Sequence, residues 1–192
     1  MRHIQQFTWT EMFDEDECDQ LVALAKSREA IAGGVLAVKP NLCDKLSRNC
    51  KVTWLPADPE TAWAFLRIRS RVMQINDRWL GFNLDGEMES LQYLDYGMGN
   101  FYNWHVDNGS DVVATRKLTC VIQLSDPSDY KGGRLEFDSQ THLPNGTYVN
   151  HAPKYRGTAI IFPSHIRHVA RPVLWGNRKA VVAWFHGKET LK

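Results

Sequence analysis

The sequence predicts a mainly β protein, a sandwich or jelly roll flanked by helices near its N-terminus, and three observations carry that expectation. After Gly86 the chain is dominated by short β-branched and aromatic runs, ESLQYLDY, NFYNWHV, KLTCVIQL, GRLEF, GTAIIF, HVARPV and KAVVAWF, separated by Gly, Pro, Asn and Asp. Before Gly86 lie two stretches with helical periodicity. The chain has 192 residues, 43% hydrophobic and 23% charged, which is enough for one substantial core and too little for two typical domains.

The first predicted helix runs from Asp14 to Ala30. Its apolar positions Cys18, Leu21, Val22, Leu24 and Ala25 are set among charges, and acids crowd the first turn, where the positive end of the helix dipole favours them. Gly33, Gly34 and Pro40 break the pattern, so residues 32 to 48 read as a loop. Lys39, Lys45 and Arg48 make that loop basic, which suits either a mobile lid or a plain solvated connection. RNCKVTWL, residues 48 to 55, reads as a strand. Pro59 then suits the first turn of a long helix ending near Gly81. Residues 1 to 85 are thus a helical support and residues 86 to 187 a β core, in one domain spanning 1 to 192.

Charge is nearly balanced, 23 Lys plus Arg against 22 Asp plus Glu, so there is no overall basic field to gather nucleic acid or an anionic membrane. The opening MRHIQQFTWTEMFDEDE lacks the apolar stretch of a signal peptide, and no run approaches the roughly 18 apolar residues of a membrane span. A cytoplasmic protein is the expectation. Cys18, Cys43, Cys50 and Cys120 form no Cys-x-x-Cys pair and read as free thiols, and no neighbouring Cys or His completes a zinc site on Cys43 and Cys50.

The chemistry concentrates in NFYNWHVDNG. His105 and Asp107 are one residue apart, so in an extended segment both point to the same face. With a second histidine from a distant strand they would make the two-histidine, one-carboxylate set that leaves positions open on Fe(II). Among His3, His142, His151, His165, His168 and His186, His168 is preferred because it opens the β-prone run HVARPV after the turn FPSHIR, with His165 as the competitor. Arg178 supports that choice. It begins RKAVVAWF, where Arg178, Ala180, Val182 and Trp184 share one face by alternation, and so apolar a face calls for an anionic partner, either a buried acid or a ligand carboxylate. Tyr102 and Trp104 flank the metal pair, which sets Tyr102 on a pocket wall. Gly132 and Gly133 in YKGGRLEF mark a turn or bulge with close backbone approach.

Taken in order, YGMGNFYNWHVDNG, RKLTCVIQLSD, YKGGRLEF and FPSHIRHVARPVLWGNRKAVVAWF resemble the catalytic half of the prolyl 4-hydroxylase-like (PKHD-type) family of Fe(II)/2-oxoglutarate-dependent dioxygenases, over residues 90 to 187. The resemblance implies a double-stranded β-helix core in which His105, Asp107 and His168 hold Fe(II) and Arg178 pairs the distal carboxylate of 2-oxoglutarate. It gives Tyr96 a hydrogen bond to the same co-substrate. Gln123 stands where the family frequently has an aromatic residue on that carboxylate, a departure in this sequence. Trp184 matches a bulky residue at the substrate end, and Arg116 a position that can face substrate or simply end a strand in solvent.

By the same resemblance, 2-oxoglutarate and molecular oxygen are consumed, succinate and carbon dioxide are released, and a C–H bond is hydroxylated, with ascorbate as a possible accessory reductant. Asp107 favours hydroxylation, since relatives that halogenate lack that ligand. The substrate the resemblance favours is a prolyl residue of a peptide or protein; a free amino acid or small metabolite, or a non-catalytic jelly-roll binding module, are the competing readings. Balanced charge, and Trp184 where nucleic-acid demethylases carry a second downstream arginine, argue against nucleic acid.

Overall fold

The computed structural model describes residues 7–32, 47–142 and 148–187. Most of the expected lid, together with His3 and Cys43, lies outside the described residues, as does the side chain of His142.

Helix α1, Glu15–Lys26, starts where the acids predict. The Asp14 side chain accepts from the Glu17 amide at 2.9 Å and the Glu17 carboxylate accepts from the Asp14 amide at 3.1 Å, a reciprocal cap that satisfies two otherwise orphaned donors. The helix stops four residues short of Ala30, and its Ser27 hydroxyl donates to the Leu24 carbonyl. Helix α2, Ala62–Ile75, runs on through a wider turn, Asn76–Leu80, to Gly81 at φ 71°. Pro59 is not in its first turn. It lies ahead of Thr61, which takes the cap position and donates its buried hydroxyl to the Pro56 carbonyl at 2.5 Å.

Among the described residues the β strands form two main antiparallel sheets and a small two-stranded one. The larger sheet has the order β1 (Thr8–Glu11), β11 (Thr158–Pro163), β7 (Arg116–Gln123), β14 (Arg178–His186), β5 (Leu91–Tyr96), β4 (Lys51–Leu55) and β2 (Ile31–Ala32). The smaller has β10 (Tyr148–His151), β9 (Leu135–His142), β12 (His168–Ala170), β6 (Phe101–His105) and β3 (Arg48–Asn49). Strands β8 (Tyr130–Gly132) and β13 (Val173–Gly176) pair by themselves. RNCKVTWL is therefore two strands, because the chain crosses from one sheet to the other at Cys50. HVARPV is likewise divided, Arg171 and Pro172 separating β12 from β13.

Alternation along β14 shows how the layers are built. Val181, Ala183 and Phe185 join Leu21 of α1 and Ile68 and Val72 of α2 in a core outside the larger sheet. Ala180, Val182 and Trp184 face the other way, into a second core between the sheets with Leu94, Val121, Phe137 and Phe162. The two helices therefore cover one outer face, and the inter-sheet space is where a site can form. No helix among the described residues is long and apolar enough to cross a membrane.

Candidate active site

His105 is the last residue of β6, and Asp107 lies in the bend beyond it rather than in an extended segment. Alternation therefore does not bring them together. The bend does, held by the Asp107 amide donating to the Ser164 carbonyl at 2.9 Å. His168 opens β12 directly opposite His105 in the ladder. One ligand atom from each of His105, Asp107 and His168 lies within 4.8 Å of the others. The His105 and His168 Nε2 atoms are 3.5 Å and 3.6 Å from the Asp107 carboxylate oxygens.

Both rings are oriented from behind. His105 Nδ1 lies 2.7 Å from the Asn103 carbonyl and His168 Nδ1 lies 2.9 Å from the Ile166 carbonyl. A carbonyl only accepts, so each Nδ1 carries the proton and each Nε2 turns a lone pair toward Asp107. The fully buried Thr119 hydroxyl donates to Asp107 Oδ2 at 2.7 Å. Burial pushes the His168 ring down to about 4, against the opposing pull of Asp107. Burial would raise the Asp107 carboxyl, but the neighbouring histidines, once protonated, and the Thr119 hydrogen bond outweigh it and hold it well below the usual range. A neutral His168 beside an ionised Asp107 is the protonation state a divalent cation requires. Two imidazole nitrogens and a carboxylate oxygen this close together are a donor set that fits Fe(II).

Deeper between the sheets, Arg178 is 2% exposed. Its Nε and Nη2 donate to Gln123 Oε1 at 3.2 Å and 3.0 Å, and its guanidinium carbon lies 5.3 Å from the centre of the Tyr96 ring. Among the described residues no carboxylate forms an ion pair with it, so this buried cation has neutral partners. Gly133, at φ 59°, leaves room for it, since a Cβ there would stand 3.1 Å from Arg178 Cδ. Gln123 Nε2 donates to the Pro153 carbonyl at 3.3 Å, which fixes the amide with its oxygen toward Arg178.

A narrow cavity of about 40 Å³ joins the two ends, lined by Gln92, Tyr96, Tyr102, Arg178, Trp184 and the His105, Asp107, His168 cluster, among others. Tyr102 stacks on His105 with ring centres 3.5 Å apart. Arg116 is neither exposed nor on the cavity lining. It is 6% exposed and chelates Glu89 at 2.5 Å and 2.6 Å. It also donates to the Asp107 carbonyl at 3.2 Å and lies over the Trp184 ring at 3.9 Å. His165 is exposed in a turn, and His186 is engaged by Thr115 and Glu89.

Thr119, Glu89 and Ser164 were not among the sequence candidates. Thr119 had a readable signal, since it shares the inward face of KLTCVIQL with Val121 and Gln123 by alternation. Glu89 and Ser164 had none, because their contacts cross between segments distant in sequence.

Two sheets enclosing a two-histidine, one-carboxylate cluster, with a buried arginine at the far end of the same cavity, define a jelly-roll protein built around a candidate metal centre. Residues 91–186 match the family described as the 2OG-Fe(II) oxygenase superfamily, and the chain belongs to that family. It is 37% identical over 103 residues to a PKHD-type hydroxylase of Synechococcus sp. (strain CC9902), covering 54% of this chain and 44% of that protein. With a PKHD-type hydroxylase of Caulobacter vibrioides it shares 30% identity over 137 residues, 68% of this chain and 57% of that one. The matched stretch thus spans about half the length of these curated relatives.

Solved structures resemble it over nearly its whole length. A prolyl-4-hydroxylase of Pseudomonas putida superposes with TM-score 0.72 at 18% identity, covering 96% of this chain and 94% of that one. A prolyl hydroxylase of Trichoplax adhaerens, in complex with a hypoxia inducible factor peptide fragment, gives TM-score 0.73 at 20% identity over 95% and 84%. At such identities the likeness speaks for the fold, and it bears out the double-stranded β-helix expectation.

Proposed function

We propose that this chain is an Fe(II)- and 2-oxoglutarate-dependent dioxygenase that hydroxylates an unactivated C–H bond, with a prolyl residue of a peptide or protein as substrate. The observation that carries this reading is the pairing, in one cavity, of the His105, Asp107, His168 cluster with a buried Arg178 whose partners are neutral. Bound there, the metal and co-substrate would supply the oxidising power, one oxygen molecule being consumed and succinate and carbon dioxide released as C–H becomes C–OH.

The protein's part is positioning and exclusion. His105 and His168 offer Nε2 lone pairs, Asp107 offsets part of the metal's charge, and Thr119 fixes the rotation of that carboxylate. Arg178 would turn from Gln123 to the distal carboxylate of 2-oxoglutarate, a charge-assisted contact stronger than the neutral one it replaces. Tyr96, whose ring centre lies 5.3 Å from that guanidinium carbon, would add its hydroxyl. Leu94, Val121, Leu135, Ala170 and Val182 line the remainder and keep water from the reacting centre. The prolyl assignment rests on the relatives, named PKHD-type hydroxylases, and on structural neighbours named prolyl hydroxylases. Ascorbate is the proposed accessory reductant.

The test is to purify the protein without oxygen, add Fe(II) and 2-oxoglutarate, and measure succinate on exposure to air beside His168→Ala and Arg178→Ala. Succinate from the parent and none from either variant is expected. Failure of the parent to bind Fe(II) or 2-oxoglutarate would overturn the reading in favour of a binding module.

A further inference from the structure

A second arginine is buried beside the same cavity. Arg48, on β3, is 4% exposed, and its backbone pairs with Tyr102 on β6 of the smaller sheet. Its side chain reaches across to the larger sheet, where Nη2 donates to Gln92 Oε1 at 2.8 Å and Nε to Cys50 Sγ at 3.1 Å. Its guanidinium carbon stands 4.7 Å from the centre of the Tyr102 ring. Among the described residues these partners are all neutral, whereas the buried guanidinium of Arg116 is chelated by Glu89. The positive charge of Arg48 is therefore not offset by the groups it touches.

That contact decides what Gln92 shows the cavity. Arginine has donors only, so the Gln92 amide must turn its oxygen to Arg48. Its two N–H bonds are then what Gln92 offers to the cavity it lines. Gln123 makes the same kind of contact to Arg178, but its nitrogen is taken by the Pro153 carbonyl. Gln92 pairs opposite Val182 and Tyr96 opposite Arg178, four residues or roughly 13 Å apart along the strand, so Gln92 lies away from the Arg178 end. Tyr102, over which Arg48 lies, stacks on His105, so the Arg48–Gln92 pair borders the metal end, while Cys50, the other partner of Arg48, stands level with Tyr96.

Resting on the oxygenase reading above, we infer that Gln92, oriented and polarised by Arg48, is the specificity-determining group for the oxidised substrate, and that it selects a substrate carrying a carboxylate close to the carbon that is hydroxylated. An amide donor backed by an uncompensated cation favours an anionic oxygen over a neutral carbonyl. The carboxylate can be the α-carboxylate of a free or C-terminal imino acid, or the acidic side chain of a neighbouring peptide residue.

The experiment uses the whole chain loaded with Mn(II) and 2-oxoglutarate without oxygen, and reads paramagnetic broadening of probe signals by proton NMR, which reports weak ligands near the metal. The probes are three matched pairs: L-proline and L-prolinamide, glycyl-L-proline and its amide, and acetyl-Pro-Asp-amide and acetyl-Pro-Asn-amide. The carboxylate member of at least one pair is expected to bind about tenfold or more tighter than its neutral partner, and the pair that responds identifies the source. Gln92→Glu is nearly isosteric and gives Arg48 a counter-ion, so it should fold at least as well as the parent. It is expected to abolish the carboxylate preference while 2-oxoglutarate affinity stays within about twofold, an outcome a purely structural role would not produce. Arg48→Met should weaken the same preference. The inference is overturned if no pair shows a carboxylate preference, if the preference survives in Gln92→Glu, or if 2-oxoglutarate affinity falls in its place. A parent chain that binds neither Mn(II) nor 2-oxoglutarate overturns the oxygenase reading itself, and this inference with it.

Discussion

Replacing Thr119 by Val removes one hydroxyl from the proposed metal site and little volume. That hydroxyl donates at 2.7 Å to Asp107 Oδ2, inside a site where both residues are buried. A hydrogen bond to a charged group contributes about 1.5–3 kcal/mol, which corresponds to roughly 10- to 150-fold in an equilibrium constant. Loss of groups that orient a metal ligand typically weakens metal binding by about 10- to 100-fold. Both estimates predict that Thr119→Val raises the Fe(II) dissociation constant by about 10- to 100-fold, with Thr119→Ser close to the parent. The assay is competition against a chelator of known affinity, without oxygen, with circular dichroism to show that the fold is kept. One compensation is built into the site, since Ser164 Oγ lies 3.1 Å from Thr119 Oγ1 and is placed to turn toward Asp107. The double variant Thr119→Val, Ser164→Ala removes that route. Metal affinity within about twofold of the parent in both variants would refute the argument that Thr119 fixes Asp107.

Arg178→Met should weaken 2-oxoglutarate binding by about 100-fold or more, the effect of removing a buried charged partner, while Fe(II) affinity changes by less than about threefold. Calorimetric titration separates the two, and equal losses would show general collapse. Gly157 has φ 75°, and a Cβ there would collide with the Phe13 carbonyl oxygen, so Gly157→Ala should cost at least about 2 kcal/mol. A urea midpoint lowered at unchanged slope is the expected result, and an unmoved midpoint contradicts it. In protein stripped of metal, burial lowers His168 from 6.5 to about 4, so on acidification the unfolded chain takes up its proton first. Stability is then full above 6.5 and falls between 6.5 and 4, by about 2 kcal/mol at pH 5 from His168 at ~1.36 kcal/mol per unit. Asp107, held low, adds a loss in the same direction at still lower pH. Urea midpoints at pH 8 and pH 5 check the sign, and a midpoint that rises on acidification would refute it.

Much of this protein was legible from sequence because local periodicity has a physical cause. Strand alternation put Arg178, Ala180, Val182 and Trp184 on one face, and the structure seats all four between the sheets. Acids ahead of an apolar stripe placed the start of α1, because helix N-termini have unmet donors and a positive end. Short runs such as TWTE and YKG were not read as strands, since segments of four and three residues carry too little pattern.

What only the tertiary structure decided is who faces whom. Asp107 meets His105 through a bend pinned to Ser164, Arg116 is captured by Glu89, and Arg48 crosses from one sheet to Gln92 on the other. Sequence by itself determined which side chains carry charge, lone pairs and donors, and which way each strand turns them. Their pairing rests on hydrogen bonds and ion contacts between segments tens of residues apart, and a buried polar group takes whichever partner the closed sheets bring within about 3 Å.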